Sequence, residues 1–287
     1  MPTFSKNTGL KIFNTIKSLQ QYLQNCRQEG KTIGLVPTMG ALHQGHLSLL
    51  QRSKEENNIT VCSIFVNPTQ FNDPKDLEKY PRPIDSDTKK LQETGCDVLF
   101  NPPVTEMYAE NEQWHLNLGE LEHLLEGKFR PGHYQGVTQV VYKLFSIVKP
   151  DTAYFGQKDY QQFMVISKMV QLLNVPVKLV MCPIVREADG LAMSSRNIHL
   201  SAADHHHALV LSRALHYAKD HFNEAPAADI KQKAEQMINA EEGTALEYFE
   251  IVDGETLQPV NPNSHKIVAL VAARVGHTRL IDNVILR

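Results

Sequence analysis

The stretch Val36-Pro37-Thr38-Met39-Gly40-Ala41-Leu42-His43-Gln44-Gly45-His46 carries a strand end, a turn and a helix start in immediate succession. Residues 32–37 (TIGLVP) form an apolar run of strand length that stops at Pro37, and a helical pattern begins at Gly45 and runs to residue 56. The N–H groups at a helix start have no partner within the helix, and the helix dipole there favours an anion. Gly40 and Gly45 allow main chain to approach a ligand closely. His43 and His46, three residues apart, share one face of a helical turn, so their rings can add donors where phosphate charge develops. Two histidines at this spacing are commonly a solvated helix face. The strand before them and the helix after them supply the setting that a ligand-binding turn requires.

The alternation continues on both sides of this stretch. Residues 59–66 (ITVCSIFV), 97–100, 152–155 and 177–185 read as strands, and 83–94, 136–148 and 160–173 as helices. Such alternation implies an α/β fold with a parallel sheet covered on both faces, whose ligands sit beyond the carboxyl ends of the strands. The pattern changes near Arg186. Helices are expected over 202–223 and 228–240, then strands over 245–252, 266–274 and 279–286, which suggests a smaller α+β unit. The expected division is 1–185 and 186–287. No Gly/Pro/Ser-rich linker marks the join, which leaves open that the second unit extends the first fold.

Composition excludes several classes. The chain has 287 residues, 42% hydrophobic and 21% charged, so a packed core rather than disorder is expected. A net charge of −3 argues against a general nucleic-acid binder. Cys26, Cys62, Cys96 and Cys182 are scattered, without a Cys-x-x-Cys pair, and read as buried free thiols of a reducing compartment rather than zinc ligands. The N-terminal stretch lacks the apolar segment of a secretory signal, and no run is long enough to span a membrane, so a cytoplasmic location is expected. His205-His206-His207 does not read as a metal site, because adjacent helical residues point in different directions.

Three further loops fall at expected strand ends. Asn67-Pro68-Thr69-Gln70-Phe71 offers carboxamides suited to hydroxyl and carboxylate groups, although Asn-Pro alone favours a turn. Gly156-Gln157-Lys158-Asp159 places an ammonium beside a glycine, and Asp159 stands where a helix cap belongs. Met193-Ser194-Ser195-Arg196, after the Asp189-Gly190 turn, combines two hydroxyls with a guanidinium. Arg82 and Arg130 read as surface arginines, and Trp114 with the leucines of 118–125 as packing or a dimer surface.

His43-Gln44-Gly45-His46 resembles the HIGH motif of the nucleotidylyl-transferring Rossmann-like superfamily. The fuller string PTMGALHQGH (37–46), with SIFVNPTQF (63–71), YPR (80–82), FRPGHYQGV (129–137), YFGQKDYQQ (154–162) and READGLAMSSRN (186–197), resembles the pantothenate synthetases in particular. The resemblance implies a Rossmann-like parallel sheet with a smaller α+β C-terminal lid. It implies an ATP-using ligase that joins pantoate to β-alanine through an acyl-adenylate, releasing AMP and pyrophosphate. ATP would be held by Met39, Gly40, Ala41, Leu42, His43, Gln44, Gly45 and His46, by Gly156, Gln157, Lys158 and Asp159, by Val185 at the adenine, and by Met193, Ser194, Ser195 and Arg196 at the β- and γ-phosphates. Lys158 would steady the α-phosphate and Asp159 the ribose. Gln70 and Gln162 would hold pantoate, with Gln70 also placing β-alanine. His46, His43 and Lys158 would be catalytic, with His46, Lys158 and the helix start supplying the positive end of the site and His43 nearby. Mg2+ would arrive with the nucleotide, no resident metal being implied. Partners would be these small molecules and a second copy of the chain, with neither nucleic acid nor membrane. Gln157 departs from the family pattern, where Glu is more usual.

Overall fold

The computed structural model describes residues 9–110 and 112–287. The first eight residues of the stretch read for a secretory signal lie outside the described residues. The chain runs β1 (Lys11–Phe13), α1 (Ile16–Gln28), β2 (Ile33–Thr38), α2 (Gln44–Glu56), β3 (Ile59–Ile64), α3 (Pro74–Lys79), α4 (Ile84–Thr94), β4 (Val98–Phe100), α5 (Val104–Met107), α6 (Leu125–Phe129), α7 (His133–Val148), β5 (Thr152–Gly156), α8 (Tyr160–Leu172) and β6 (Lys178–Cys182). It then continues through α9 (Ala202–His221), α10 (Ala227–Asn239), β7 (Thr244–Asp253), β8 (Ile267–Val275) and β9 (Thr278–Ile285).

β1 to β6 form one parallel sheet in the order β1-β4-β3-β2-β5-β6. Strand alternation divides its side chains between two cores. Leu35, Val61, Val98 and Phe155 pack with α1, α7 and α8, while Val36, Cys62, Leu99 and Tyr154 pack with α2 and α4. The chain leaves β2 toward β3 on one side and returns beside it as β5 on the other. The loops after β2 and β5 therefore diverge, and a crevice opens between them, where open α/β sheets bind ligands. β7, β8 and β9 form a separate antiparallel sheet backed by α9 and α10. The fold is thus a Rossmann-like parallel sheet with a smaller α+β unit.

Some expected boundaries move. The strand expected over 177–185 ends at Cys182, because its partner β5 ends opposite at Gly156 and Pro183 has no N–H for a further ladder bond. The helix expected from 136 begins at His133, after Gly132 in the left-handed conformation. β1 and α1 precede the first element read from sequence; Thr15 caps α1 by accepting from the Ser18 N–H. All four cysteines are free and buried. Among the described residues, no helix is long and apolar enough to cross a membrane.

Candidate functional site

The loop after β2 is held from beneath by a carboxylate. Asp87 of α4, 1% exposed, accepts from the N–H of Ala41 at 2.7 Å and of Leu42 at 2.8 Å. Lys90, one helical turn on, donates to the Leu42 carbonyl at 2.6 Å. This turn places Gly40 at φ +83°, where an L side chain is strained, and a Cβ there would lie a tight 3.0 Å from both Asp87 Oδ2 and Ile64 Cγ2, so glycine is favoured. Sequence reading missed Asp87 and Lys90. Both sit in a helix that looks uniformly polar, and only the fold brings them under the loop.

The two histidines then cap α2. His43 Nδ1 accepts from the Gly45 N–H at 3.1 Å, and His46 Nδ1 accepts from the His43 N–H at 3.3 Å. A ring nitrogen that accepts is unprotonated, so each ring carries its proton on Nε2. The ring centroids are 4.0 Å apart. Burial first, and then the Lys158 ammonium, lower the His43 pKa to about 4, with Asp159 opposing. Burial, His43 and Lys158 lower that of His46 to about 3. The sequence expectation that the imidazoles offer N–H donors is compatible with these lowered values. With Nδ1 accepting and the pKa values lowered, both rings are neutral N–H donors, and Lys158 and Arg196 line the same cavity.

The loop after β3 presents Gln70. Asn67, 1% exposed, accepts from Thr69 N–H and Oγ1 at 3.3 and 3.0 Å and from the Tyr108 hydroxyl at 2.7 Å. Its amide donates to Gln70 Oε1 at 3.1 Å and to the Gly136 carbonyl at 3.0 Å. Gln70 Nε2 is thereby left to face Met39 Sδ, 3.2 Å away. Buried His133 bonds the Gln70 carbonyl through Nδ1 at 2.9 Å; burial and the Arg130 charge lower its pKa to about 3, so the ring is neutral and Nδ1–H donates.

One cavity at the crevice gathers most of the expected site. Met39, His43, Gly45 and His46 line it together with Gln70, Gly156, Lys158, Asp159, Gln162, Val185 and Met193–Arg196. Its apolar wall comes from Phe65, Val137, Val140, Val141, Leu144 and Phe155, which were not singled out from sequence because they look like ordinary core. Gly40, Ala41, Leu42, Gln44 and Gln157 do not line it. The Gly40 N–H donates to Thr38 Oγ1, the Ala41 and Leu42 N–H groups donate to Asp87, Gln44 is exposed, and the Gln157 amide donates to Asn283 at 3.1 Å. Asp159 occupies the cap position of α8 but makes no capping bond, contrary to expectation; its side chain faces the cavity instead. Ser195 Oγ donates to the Ala41 carbonyl at 3.1 Å, which ties the Met193–Arg196 loop to the loop after β2.

The two arginines set aside divide. Arg82 donates to the carbonyls of Leu77 and Tyr80, at 2.8 and 3.0 Å, and so closes the end of α3. Arg130 is half-buried. It lines a second, adjoining cavity with Lys158 and Arg196, and burial followed by the Arg196 charge lowers its pKa. Trp114 donates to Thr138 Oγ1 at 3.0 Å and packs against Tyr142. His205 and His207 take different partners, Asp189 and Glu241. Glu187, Asp189 and His205 converge closely enough to hold a cation, but none of them lines the cavity.

Fold and motif together define a class: a Rossmann-like α/β protein carrying the His-x-Gly-His helix start. The family model described as pantoate-beta-alanine ligase matches residues 11–285. A pantothenate synthetase of Bacteroides thetaiotaomicron is 47% identical over 277 residues, covering 96% of this chain and 98% of that protein. One of Thermotoga petrophila is 47% identical over 279 residues, covering 96% and 100%. Among solved structures, pantothenate synthetase from Thermus thermophilus superposes with a TM-score of 0.91 at 42% identity, over 96% of this chain and 99% of that one. The pantoate-beta-alanine ligase of Francisella tularensis, complexed with beta-gamma ATP and beta-alanine, gives 0.81 at 35% identity, over 97% and 98%. The chain belongs to the pantoate–β-alanine ligase family and is an enzyme.

Proposed function

We propose that the chain condenses pantoate with β-alanine in two steps on one cavity. In the first, a pantoate carboxylate oxygen attacks the α-phosphorus of ATP, the bond to the β-phosphate breaks, and pyrophosphate leaves. In the second, the free amine of β-alanine attacks the acyl carbon, the acyl–phosphate bond breaks, AMP leaves, and the nitrogen gives up one proton to solvent as pantothenate forms. The carboxylate is already ionised and needs no base. The first step therefore asks for alignment and for stabilisation of charge on the phosphoryl oxygens.

The observation that carries this reading is the convergence of His43, His46, Lys158, Gln70 and Gln162 on one cavity with an apolar wall. Neutral Nε2–H donors and one ammonium suit phosphoryl oxygens whose charge rises during attack. The carboxamides of Gln70 and Gln162 suit the hydroxyls and carboxylate of pantoate, and the valines its carbon skeleton. Asp159 suits the ribose, Val185 the adenine, and Ser194, Ser195 and Arg196 the outer phosphates. Among the described residues lining this cavity, Asp159 is the one carboxylate. Mg2+ would accompany the nucleotide and would supply further neutralisation of phosphate charge beside Lys158 and Arg196. Residues 1–185 serve as the catalytic unit and 186–287 as the lid that carries the third phosphate loop. The β-alanine present in the Francisella tularensis complex supports the choice of amine.

Removing one such donor costs about 2.7–4 kcal/mol of barrier. His46→Ala and Lys158→Ala each slow pantoate-dependent pyrophosphate release by about a hundredfold or more. Stopped-flow measurement of that release is decisive, and a near-normal burst in both variants rejects the assigned roles. Omitting each substrate in turn separates this ligase from an enzyme that leaves the nucleotide on its product: AMP must form only when β-alanine is present.

A further inference from the structure

The loops that carry Lys158 and Arg196 lie far apart in sequence, yet both are fastened to one dipeptide of β9. Asn283, 1% exposed, spends its whole carboxamide on the turn before α8. Its Nδ2 donates to the carbonyls of Gln157 and Lys158, both at 2.9 Å, and its Oδ1 accepts from Gln157 Nε2 at 3.1 Å. The neighbouring Asp282 holds the Arg186 guanidinium with both carboxylate oxygens, at 2.7 and 3.1 Å, and also accepts from the Asn283 N–H at 2.7 Å. Arg186 starts the hairpin that leads to Ser194–Arg196, and it donates across that hairpin to the Gly190 carbonyl at 3.1 Å.

Carbonyl oxygens at the start of a helix face away from its N–H groups. Fixing those of residues 157 and 158 fixes the Lys158 Cα, and hence the point from which its flexible ammonium reaches the cavity. Only a carboxamide serves here, since it offers two donors to two carbonyls and one acceptor to the Gln157 amide. A carboxylate of the same size would set negative charge against both carbonyls. This also accounts for Gln157 standing outside the cavity although its neighbours line it: its side chain is half of the clasp.

We propose that Asn283 is a positioning residue for the phosphoryl-transfer step. It acts through Lys158, while Asp282 and Arg186 set the facing hairpin by the same strand. The inference rests on the ligase reading above. The test is a double-mutant cycle on pantoate-dependent pyrophosphate release, with Asn283→Asp measured alone and in the Lys158→Ala background. A residue that works through Lys158 loses its effect once Lys158 is gone. We expect about a tenfold or greater slowing alone and less than about twofold further slowing in the Lys158→Ala background. Equal factors in the two backgrounds, or no slowing at all, overturn the proposal. Should Asn283→Asp fail to fold, Asn283→Ala, which introduces no charge, is read in the same way. Loss of the fold in both variants makes Asn283 a structural residue and also overturns it. A wild-type chain that releases no pyrophosphate with pantoate fails at the earlier reading instead, and that outcome is visible before any variant is made.

Discussion

Two imidazoles buried beside an ammonium remain neutral, and that has a consequence for pH. In the unfolded chain each ring titrates near 6.5, whereas in the fold His43 and His46 titrate at about 4 and about 3. Between those values the unfolded chain holds more protons than the folded one, so stability rises with pH across the window. The contribution is fully present above about pH 6.5 and is lost as pH falls toward 4 and then 3. Ring-carbon NMR shifts should show no titration of either histidine between about pH 5.5 and 8, and the ATP kcat/KM profile should show no break from them there. A ring titrating near 6.5 contradicts the hydrogen-bonded tautomers. The histidines themselves were legible in the sequence, because strand, glycine turn and helix pattern surround them. Their charge state was not, since it depends on main-chain N–H groups aimed at Nδ1. Asp87 was hidden for a related reason: it acts on amides more than forty positions away, and no local pattern marks it.

At the level of the element, the packing of α7 on the turn before Gln70 sets where that carboxamide, the proposed pantoate ligand, stands. A Cβ at Gly136 would lie 2.4 Å from the Thr69 carbonyl oxygen and 2.7 Å from the Gln70 nitrogen, both main chain. Gly136→Ala must push helix and turn apart. It should cost about 1–3 kcal/mol of stability, read by denaturant unfolding, and raise the KM for pantoate more than that for ATP. Equal changes in both KM values would place the effect elsewhere. Strands such as Ile59–Ile64 were legible because β-branched residues in a fully buried parallel strand form an unbroken apolar run. The three-residue β1 offers too short a pattern to register. The apolar wall of the cavity escaped notice because α7 buries most of its residues, so Val137, Val140 and Val141 look no different from core.

For the whole molecule, the two units are joined by buried polar contacts as well as apolar ones. Arg279 of β9 grips Glu126 of α6 through two bonds of 2.6 and 2.7 Å, and the Tyr248 hydroxyl adds a third at 2.9 Å. Burial works to raise the Glu126 pKa, but the Arg279 hydrogen bonds and charge outweigh it and hold the carboxyl below its usual range. Its contribution to stability is therefore present at neutral pH and lost as acid protonates it. Arg279→Leu leaves a buried carboxylate without its partner and should cost about 3–5 kcal/mol, seen as a lower denaturation midpoint; an unchanged midpoint would show that the pair carries no net stability. The parallel sheet and the change of pattern near Arg186 were legible from the alternation of elements. The contacts between the units were not, because residues such as Glu126 and Arg279 lie 153 positions apart.

The most direct test of the whole account is a crystal structure with pantoate and a non-hydrolysable ATP analogue. The account predicts α-phosphate oxygens within about 3 Å of His46 Nε2 and Lys158 Nζ, at the mouth of the β2–β5 crevice. Phosphates bound out of reach of both atoms, or a His46 ring turned so that Nδ1 faces the nucleotide, would contradict it.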